Sequence, residues 1–315
     1  MLLFAPGHSA AFGQRVADCL GVTLASSEER EFGGGEHKMR PLDDVQDQDV
    51  FVIQSLCGDE HASANDKLCR LLFFLGALKD AGTRHVTAVV PYFAYSRKDR
   101  RTQPQDPVIT RYVAQLFEAT GVDCVVALDI HNEAAFDNAF RCQSVRIEAG
   151  DLFATSLPSE LGTSAVVVAS PDIGGVKRAQ LFRESLARKL NREVGFAFME
   201  KRRSGGVVSG DMLVGDVGNR TLVFYDDLIA SGTTILRACQ VARRAGAARI
   251  YVAAPHAAFL PGATQLFAAR DIHAVLVSDS IALAPSFANV PGERLRVCSV
   301  APLVADTIRR LASRA

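Results

Sequence analysis

Short apolar runs rich in Val and Ile recur along the chain: Asp49–Gln54, His85–Val90, Asp123–Leu128, Ala165–Ala169, Thr221–Tyr225, Arg249–Ala253 and Ala274–Val277. Between them lie amphipathic stretches of helical period, among them Asn65–Ala81, Ile109–Thr120, Gly175–Leu190 and Thr234–Ala245. Near-continuous apolar strands alternating with helices are the pattern of a parallel sheet covered on both faces. The pattern occurs in both halves and predicts two α/β domains with a boundary near Ser144–Gly150. A last helical stretch, Val300–Ala312, is placed to return onto the first domain. Arg100–Pro107, polar with two prolines, and Ser204–Gly210, rich in Gly and Ser, read as mobile loops. There is no low-complexity tract and no repeat of solenoid period.

Composition narrows the class. The 315 residues suffice for two domains with buried cores. Lys plus Arg (35) balance Asp plus Glu (35), so electrostatic capture by nucleic acid or an anionic membrane is not expected. The seven cysteines form no Cys-x-x-Cys pair and sit mostly in apolar runs, as buried thiols do in a reducing cytoplasm. The start, Met1 to His8, has neither a basic segment nor a long apolar core, so no signal peptide is expected. The longest apolar run, around Leu71 to Leu78, is flanked by Arg70 and Lys79 and is too short to cross a bilayer. A cytoplasmic protein is expected.

Ligands of open parallel sheets bind beyond the carboxyl ends of the strands, and the polar clusters of this chain fall at those ends. Leu222 to Tyr225 runs into Asp226 and Asp227, and Ser231-Gly232-Thr233-Thr234 then opens a helix. Small residues at such a junction let backbone N–H groups converge on an anion, and the helix dipole adds to the pull. Two carboxylates beside a phosphate cradle can accept hydrogen bonds from vicinal hydroxyls, which suggests a sugar phosphate. The plainer alternative is a Ser or Thr helix cap with acids that suit a helix start. It accounts for Ser231 or Thr233 but not for paired carboxylates at a strand end.

The other clusters are more ambiguous. Pro171-Asp172-Ile173-Gly174-Gly175 is either a tight turn or a close-approach loop whose carboxylate could take a magnesium ion. His131, after Asp129 at another strand end, would ordinarily be a satisfied polar residue. Tyr95 to Arg101 packs four cations around Asp99, as a salt-bridged solvated loop or as a polyphosphate clamp. Lys201-Arg202-Arg203, before a glycine loop, shares that ambiguity. Neither a P-loop, nor His-Glu-x-x-His, nor Gly-x-Ser-x-Gly is present.

Taken in order, these segments resemble the ribose-phosphate pyrophosphokinases. The resemblance runs from Leu3-Phe4-Ala5 through Phe32 to Glu36, Ile53-Gln54-Ser55, Pro91 to Arg101, Asp129-Ile130-His131, Ser170 to Arg178, Lys201 to Arg203 and Gly215-Asp216-Val217, ending in the Asp226–Thr234 loop. That last loop alone would fit any phosphoribosyltransferase; the tandem set is more specific. The resemblance implies two tandem phosphoribosyltransferase-like domains, each a mostly parallel sheet flanked by helices. Residues 1–145, with 297–315 returning, would form the ATP side and 146–296 the ribose 5-phosphate side. It implies transfer of a diphosphoryl group from ATP to the 1-hydroxyl of ribose 5-phosphate. Phe32, Gly34, Gly35, Glu36, Arg97, Lys98 and Asp99 would bind ATP, with Phe32 and Arg97 enclosing adenine across a subunit contact in a homo-oligomer. Asp226 and Asp227 would hold the ribose hydroxyls, and Ala230, Ser231, Gly232, Thr233 and Thr234 the 5-phosphate. His131 and Asp172 would hold Mg2+, and Lys201 and Arg203, on a mobile flap, would stabilise the transferring group.

The chain departs from the family pattern at Ala230, where an acid is usual, at Gly34, which replaces an acid or amide, and at Lys98, which replaces a glutamine. Gln46, the arginine-poor Thr102–Pro107 loop and the short tail ending at Ala315 fall in segments that in the family form a regulatory site for phosphate and ADP. An enzyme that is not phosphate-activated is therefore expected. The alternatives are a phosphoribosyltransferase acting on a base and a weakly active regulatory homologue of the synthetase.

Overall fold

The computed structural model describes residues 1–204 and 207–313, with side chains for all of these except 201–211. Two compact units emerge. The first comprises Met1–Ile147, Ser280–Ala282 and Val300–Ala315; the second comprises Glu148–Asp279 and Leu283–Ser299.

The first unit carries β1 (Leu2–Phe4), α1 (Ala10–Leu20), β2 (Ser27–Glu31), β3 (His37–Pro41), β4 (Asp49–Ile53), α2 (Ala64–Asp80), β5 (His85–Val90), α3 (Ile109–Ala119), β6 (Cys124–Leu128), α4 (Glu133–Ala139) and β7 (Gln143–Ile147). Its sheet runs β1-β4-β5-β6-β7, every neighbouring pair parallel. Both faces of β4 and β6 are buried, which is why they read as unbroken apolar runs in the sequence. A Phe cluster joins the loop after β5 to the helices, with Phe93 lying 5.7 Å from Phe117 and 5.4 Å from Phe136. Burying each such ring contributes about 1.5–3 kcal/mol. β2 and β3 form a separate antiparallel hairpin.

In the second unit follow α5 (Gly150–Ser156), α6 (Pro158–Leu161), β8 (Val166–Ser170), α7 (Val176–Leu190), β9 (Gly195–Ser204), β10 (Val207–Val214), β11 (Thr221–Tyr225), β12 (Leu228–Ile229), α8 (Thr233–Arg244), β13 (Arg249–Ala254), β14 (His256–Ala257), α9 (Gln265–Ala268), β15 (Ala274–Ser278) and β16 (Leu295–Cys298). The sheet order is β10-β9-β8-β11-β13-β15-β16, and only the outermost pair, β10 with β9, is antiparallel. From β8 the chain winds outward to β9 on one side, then crosses to β11 and continues the other way. The reversal of strand order therefore falls between β8 and β11, the place where open α/β sheets leave a ligand crevice. The first sheet has no such reversal. Helix α10 (Ala301–Ala312) then returns to the first unit and packs on α1, burying Val304, Ala305 and Ile308.

One expectation fails. Ser204–Gly210 is not wholly a loop, because β10 already begins at Val207, pairing Val207 with Ser204 and Val208 with Arg203. The β-branched pair starts a strand at a sheet edge, and a bulge between Val208 and Gly210 absorbs the irregular residues. Arg100–Pro107 does lie outside regular structure. There Asp106 accepts hydrogen bonds from Thr102 N–H (3.0 Å), Thr102 Oγ1 (2.7 Å) and Gln103 N–H (2.8 Å), closing the loop on itself. No helix among the described residues is long and apolar enough to cross a membrane.

Candidate active site

β8 and β11 are neighbours, and their carboxyl ends deliver three carboxylates to the point of strand-order reversal. Asp172 follows β8. Its Oδ1 accepts from Gly175 N–H at 3.0 Å, while Ser170 Oγ donates to its carbonyl at 2.6 Å. Gly175 is glycine for lack of room: a Cβ there would lie 2.7 Å from Ser170 Oγ and 3.8 Å from both Asp172 Oδ1 and Asp226 Oδ1. Asp226 and Asp227 follow β11, whose last residue, Tyr225, stacks on Phe182 of α7 at 4.2 Å and 12°. Such a pair is worth about 0.5–1.5 kcal/mol beyond its burial, and it ties the strand end to the helix that begins beside Asp172. From that helix Arg178 reaches Asp227, Nη1 to Oδ1, at 3.5 Å. Burial, then the charge of Asp227, then that of Asp172 push the Asp226 carboxyl well above the ordinary carboxylate range. A buried group so frustrated is a strong candidate for ligand contact.

Beyond the pair, Leu228–Ile229 bridges in parallel to His256–Ala257. Gly232 then takes the left-handed conformation (φ 76°) as the N-cap of α8. No side chain caps this helix. Ser231 Oγ and Thr233 Oγ1 lie 3.1 Å from each other, and the earliest helical bond is Leu236 N–H to the Gly232 carbonyl at 2.9 Å. The contrast with α2 is direct: there Ser63 and Asp66 form a reciprocal capping box. The helix-cap alternative for Ser231 and Thr233 thus finds no support. The first-turn N–H groups of α8 face the loop without an intrahelical acceptor, and Ser231, Thr233 and Thr234 are exposed.

In the first unit, Arg97, Lys98 and Asp99 follow β5, and His131 follows the adjacent β6. Tyr95 holds the left-handed conformation (φ 65°), its hydroxyl bonded to Asn65 and its carbonyl accepting from Thr110 Oγ1 at 2.8 Å. Asp99 accepts from Asn132 Nδ2 at 2.6 Å, and Asn132 in turn caps α4 through Ala135 N–H at 3.2 Å. The Arg97–Asp99 loop and the His131 loop are therefore joined. Arg97, Lys98 and His131 are exposed. Phe32, Gly34, Gly35 and Glu36 form the exposed turn of the β2–β3 hairpin, with Phe32 47 % exposed and Gly34 and Gly35 both at φ 86°. Glu31, just before that turn, is held by Arg70 of α2 at 2.7 Å. Lys201 and Arg203 lie in β9, and their side chains fall outside the described residues.

Two contributors were not singled out from the sequence. Arg178 stood within a quoted motif without a role; its spacing from Asp172, one turn into the following helix, was the available signal. Asn132, directly before Glu133, was readable as a helix cap.

Among the described residues no three His, Cys, Asp or Glu side chains form a metal cage. Magnesium commonly takes only one or two carboxylates, completing its shell with water and substrate phosphate, so a cation held through Asp172 needs no such cage.

Comparison with known proteins agrees with this geometry. Residues 1–121 match the family model described as the N-terminal domain of ribose phosphate pyrophosphokinase, and residues 208–315 match the phosphoribosyl synthetase-associated domain. The chain is 33 % identical over 300 residues to the ribose-phosphate pyrophosphokinase of Prochlorococcus marinus, covering 95 % of this chain and 86 % of that one. It is 33 % identical over 322 residues to that of Vibrio parahaemolyticus, covering 99 % and 96 %. The crystal structure of phosphoribosylpyrophosphate synthetase from Mycobacterium smegmatis superposes with a TM-score of 0.91 at 30 % identity, covering 100 % of this chain and 99 % of that one. Two tandem phosphoribosyltransferase-like units, a carboxylate pair and an open helix N-terminus at the strand reversal thus coincide with end-to-end similarity, and the chain belongs to the ribose-phosphate pyrophosphokinase family.

Proposed function

We propose that this chain transfers the β,γ-diphosphoryl group of ATP to the 1-hydroxyl of ribose 5-phosphate, giving phosphoribosyl pyrophosphate and AMP. The observation that carries the reading is the uncapped N-terminus of α8 one short loop after the half-buried Asp226 and buried Asp227, in a chain similar throughout to enzymes of that name. Asp226 and Asp227 accept hydrogen bonds from the ribose hydroxyls, while Ala230 to Thr234 donate backbone and hydroxyl hydrogen bonds to the 5-phosphate. Arg178 holds the Asp227 carboxylate in place from the side. Phe32, Gly34, Gly35, Glu36, Arg97, Lys98 and Asp99 bind ATP in the first unit, the adenine lying between Phe32 and Arg97 of neighbouring copies in a homo-oligomer. Asp172 and His131 hold magnesium, which supplies charge neutralisation on the phosphates. Lys201 and Arg203 stabilise charge on the transferring group.

The ribose 1-hydroxyl oxygen attacks the β-phosphorus and releases its proton to water, the bond from that phosphorus to the α,β-bridging oxygen breaks, and AMP leaves with the bridging oxygen. Positioning and cationic stabilisation carry such a displacement, without a covalent enzyme intermediate. The enzyme works in the cytoplasm and is not activated by inorganic phosphate. The test is AMP release by purified protein from ATP, magnesium and ribose 5-phosphate with no base added. Consumption of phosphoribosyl pyrophosphate only when a base is supplied would show a transferase instead, and inertness in both assays a regulatory homologue.

A further inference from the structure

The loop assigned to the 5-phosphate is braced from behind by residues 259–269. Phe259 N–H and Leu260 N–H donate to the carbonyls of Ile229 and Ala230, each at 3.1 Å. Leu266, fully buried on the short helix α9, lies against Gly232 so closely that a Cβ there would stand 2.7 Å from its Cγ and Cδ1. Arg294, just before β16, locks that helix: Nη2 donates to the carbonyls of Phe267 (2.9 Å) and Ala269 (2.8 Å), and Nη1 to that of Ile272 (2.6 Å).

We infer that Leu266, clamped by Arg294, is a positioning residue that holds Gly232 in its left-handed conformation and thereby aims the first-turn N–H groups of α8 at the sugar's phosphate. Glycine is the residue with the most backbone freedom to lose, and a helix N-terminus grips an anion well only when its amides are already oriented. No side chain caps α8, and Ser231 and Thr233 bond each other, so orientation from the front is lacking. The apolar wedge behind Gly232 supplies it.

This inference rests on the assignment of the Ala230–Thr234 loop to the 5-phosphate. Steady-state kinetics of full-length Leu266→Ala, Leu266→Met and Arg294→Lys test it, together with calorimetric titration of ribose 5-phosphate alone. Leu266→Ala should raise the KM for ribose 5-phosphate, and weaken its binding, by about tenfold or more, with the KM for ATP shifted less than about twofold. Leu266→Met, which keeps the volume, should restore most of the loss. Arg294→Lys, which cannot span three carbonyls, should reproduce the effect in milder form and covers the case in which Leu266→Ala does not fold. An unchanged KM for ribose 5-phosphate in folded Leu266→Ala or Arg294→Lys, or equal rises for both substrates, overturns the inference. A wild type that binds ribose 5-phosphate but releases no AMP overturns the activity alone, and the binding comparison still decides the wedge. A wild type that binds no ribose 5-phosphate overturns both.

Discussion

Ionising Asp226 is costly in the folded chain. Burial, then the neighbouring carboxylates of Asp227 and Asp172, raise its pKa above the ordinary value that the unfolded chain has. Between the ordinary value of 3.8 and the raised one, the native state binds more protons, and stability falls as pH climbs through that window. Asp226→Asn removes the penalty. Its Tm should exceed that of wild type near neutral pH, without divalent cation or sugar phosphate, and the gap should close as pH falls to 3.8. Each unit of pKa shift corresponds to about 1.4 kcal/mol. Calorimetry across pH checks this, and a gap independent of pH would contradict it. At Lys201 the expectation is kinetic: Lys201→Ala should lower turnover at least about a hundredfold, the scale of losing one oriented donor to developing charge. Near-normal turnover would remove Lys201 from that role.

At the level of elements, a semi-buried pair helps to fasten the connection from β4 to α2. Lys67 Nζ, on a side chain only 6 % exposed, donates to Asp59 Oδ2 and to the Cys57 carbonyl, both at 2.6 Å. Burial pushes the Asp59 carboxyl up, but the Lys67 ammonium and the N–H groups of His61 and Ala62 together outweigh it and bring the value to about 2. This stabilisation is complete above 3.8 and is lost as pH falls towards about 2. Asp59→Asn should cost about 1.5 kcal/mol near neutral pH, the low end for a hydrogen bond between charged partners because Asp59 is itself 38 % exposed. Denaturant melts should show the two proteins converging in acid.

The elements also show what a sequence can reveal. β4, β5, β11 and β13 are buried along nearly their whole length, so they stood out as apolar runs, and the clusters at their ends could be placed with them. The β2–β3 hairpin was invisible: Ser27–Glu31, one strand of a separate two-stranded ribbon, is polar or charged throughout, with no apolar alternation to betray it. β7 and β16 are half-exposed edge strands and were likewise unremarked. In the site, Asp172, Asp226 and Asp227 were legible because carboxylates at strand ends are chemically odd. Leu266 was not, since its importance lies in touching a glycine from a distant stretch of chain, and no local pattern encodes that.

On the scale of the whole molecule, Gln46 and the self-closed Thr102–Asp106 loop predict rates that are flat against inorganic phosphate. A steep dependence, read by AMP release over a phosphate titration, would refute this. The order of the units along the chain has another outcome. The first unit lacks α10 until the second unit has been synthesised, because Val300–Ala315 follows all of it. A growing chain on the ribosome therefore carries α1 with its partner face bare while the later sheet is being synthesised. Ending the chain at Ser299 should make that transient condition permanent, giving a protein that aggregates or recruits chaperones although every proposed substrate contact is retained. Helix α10, made only after the second unit, is thus the lid on a core begun before that unit existed.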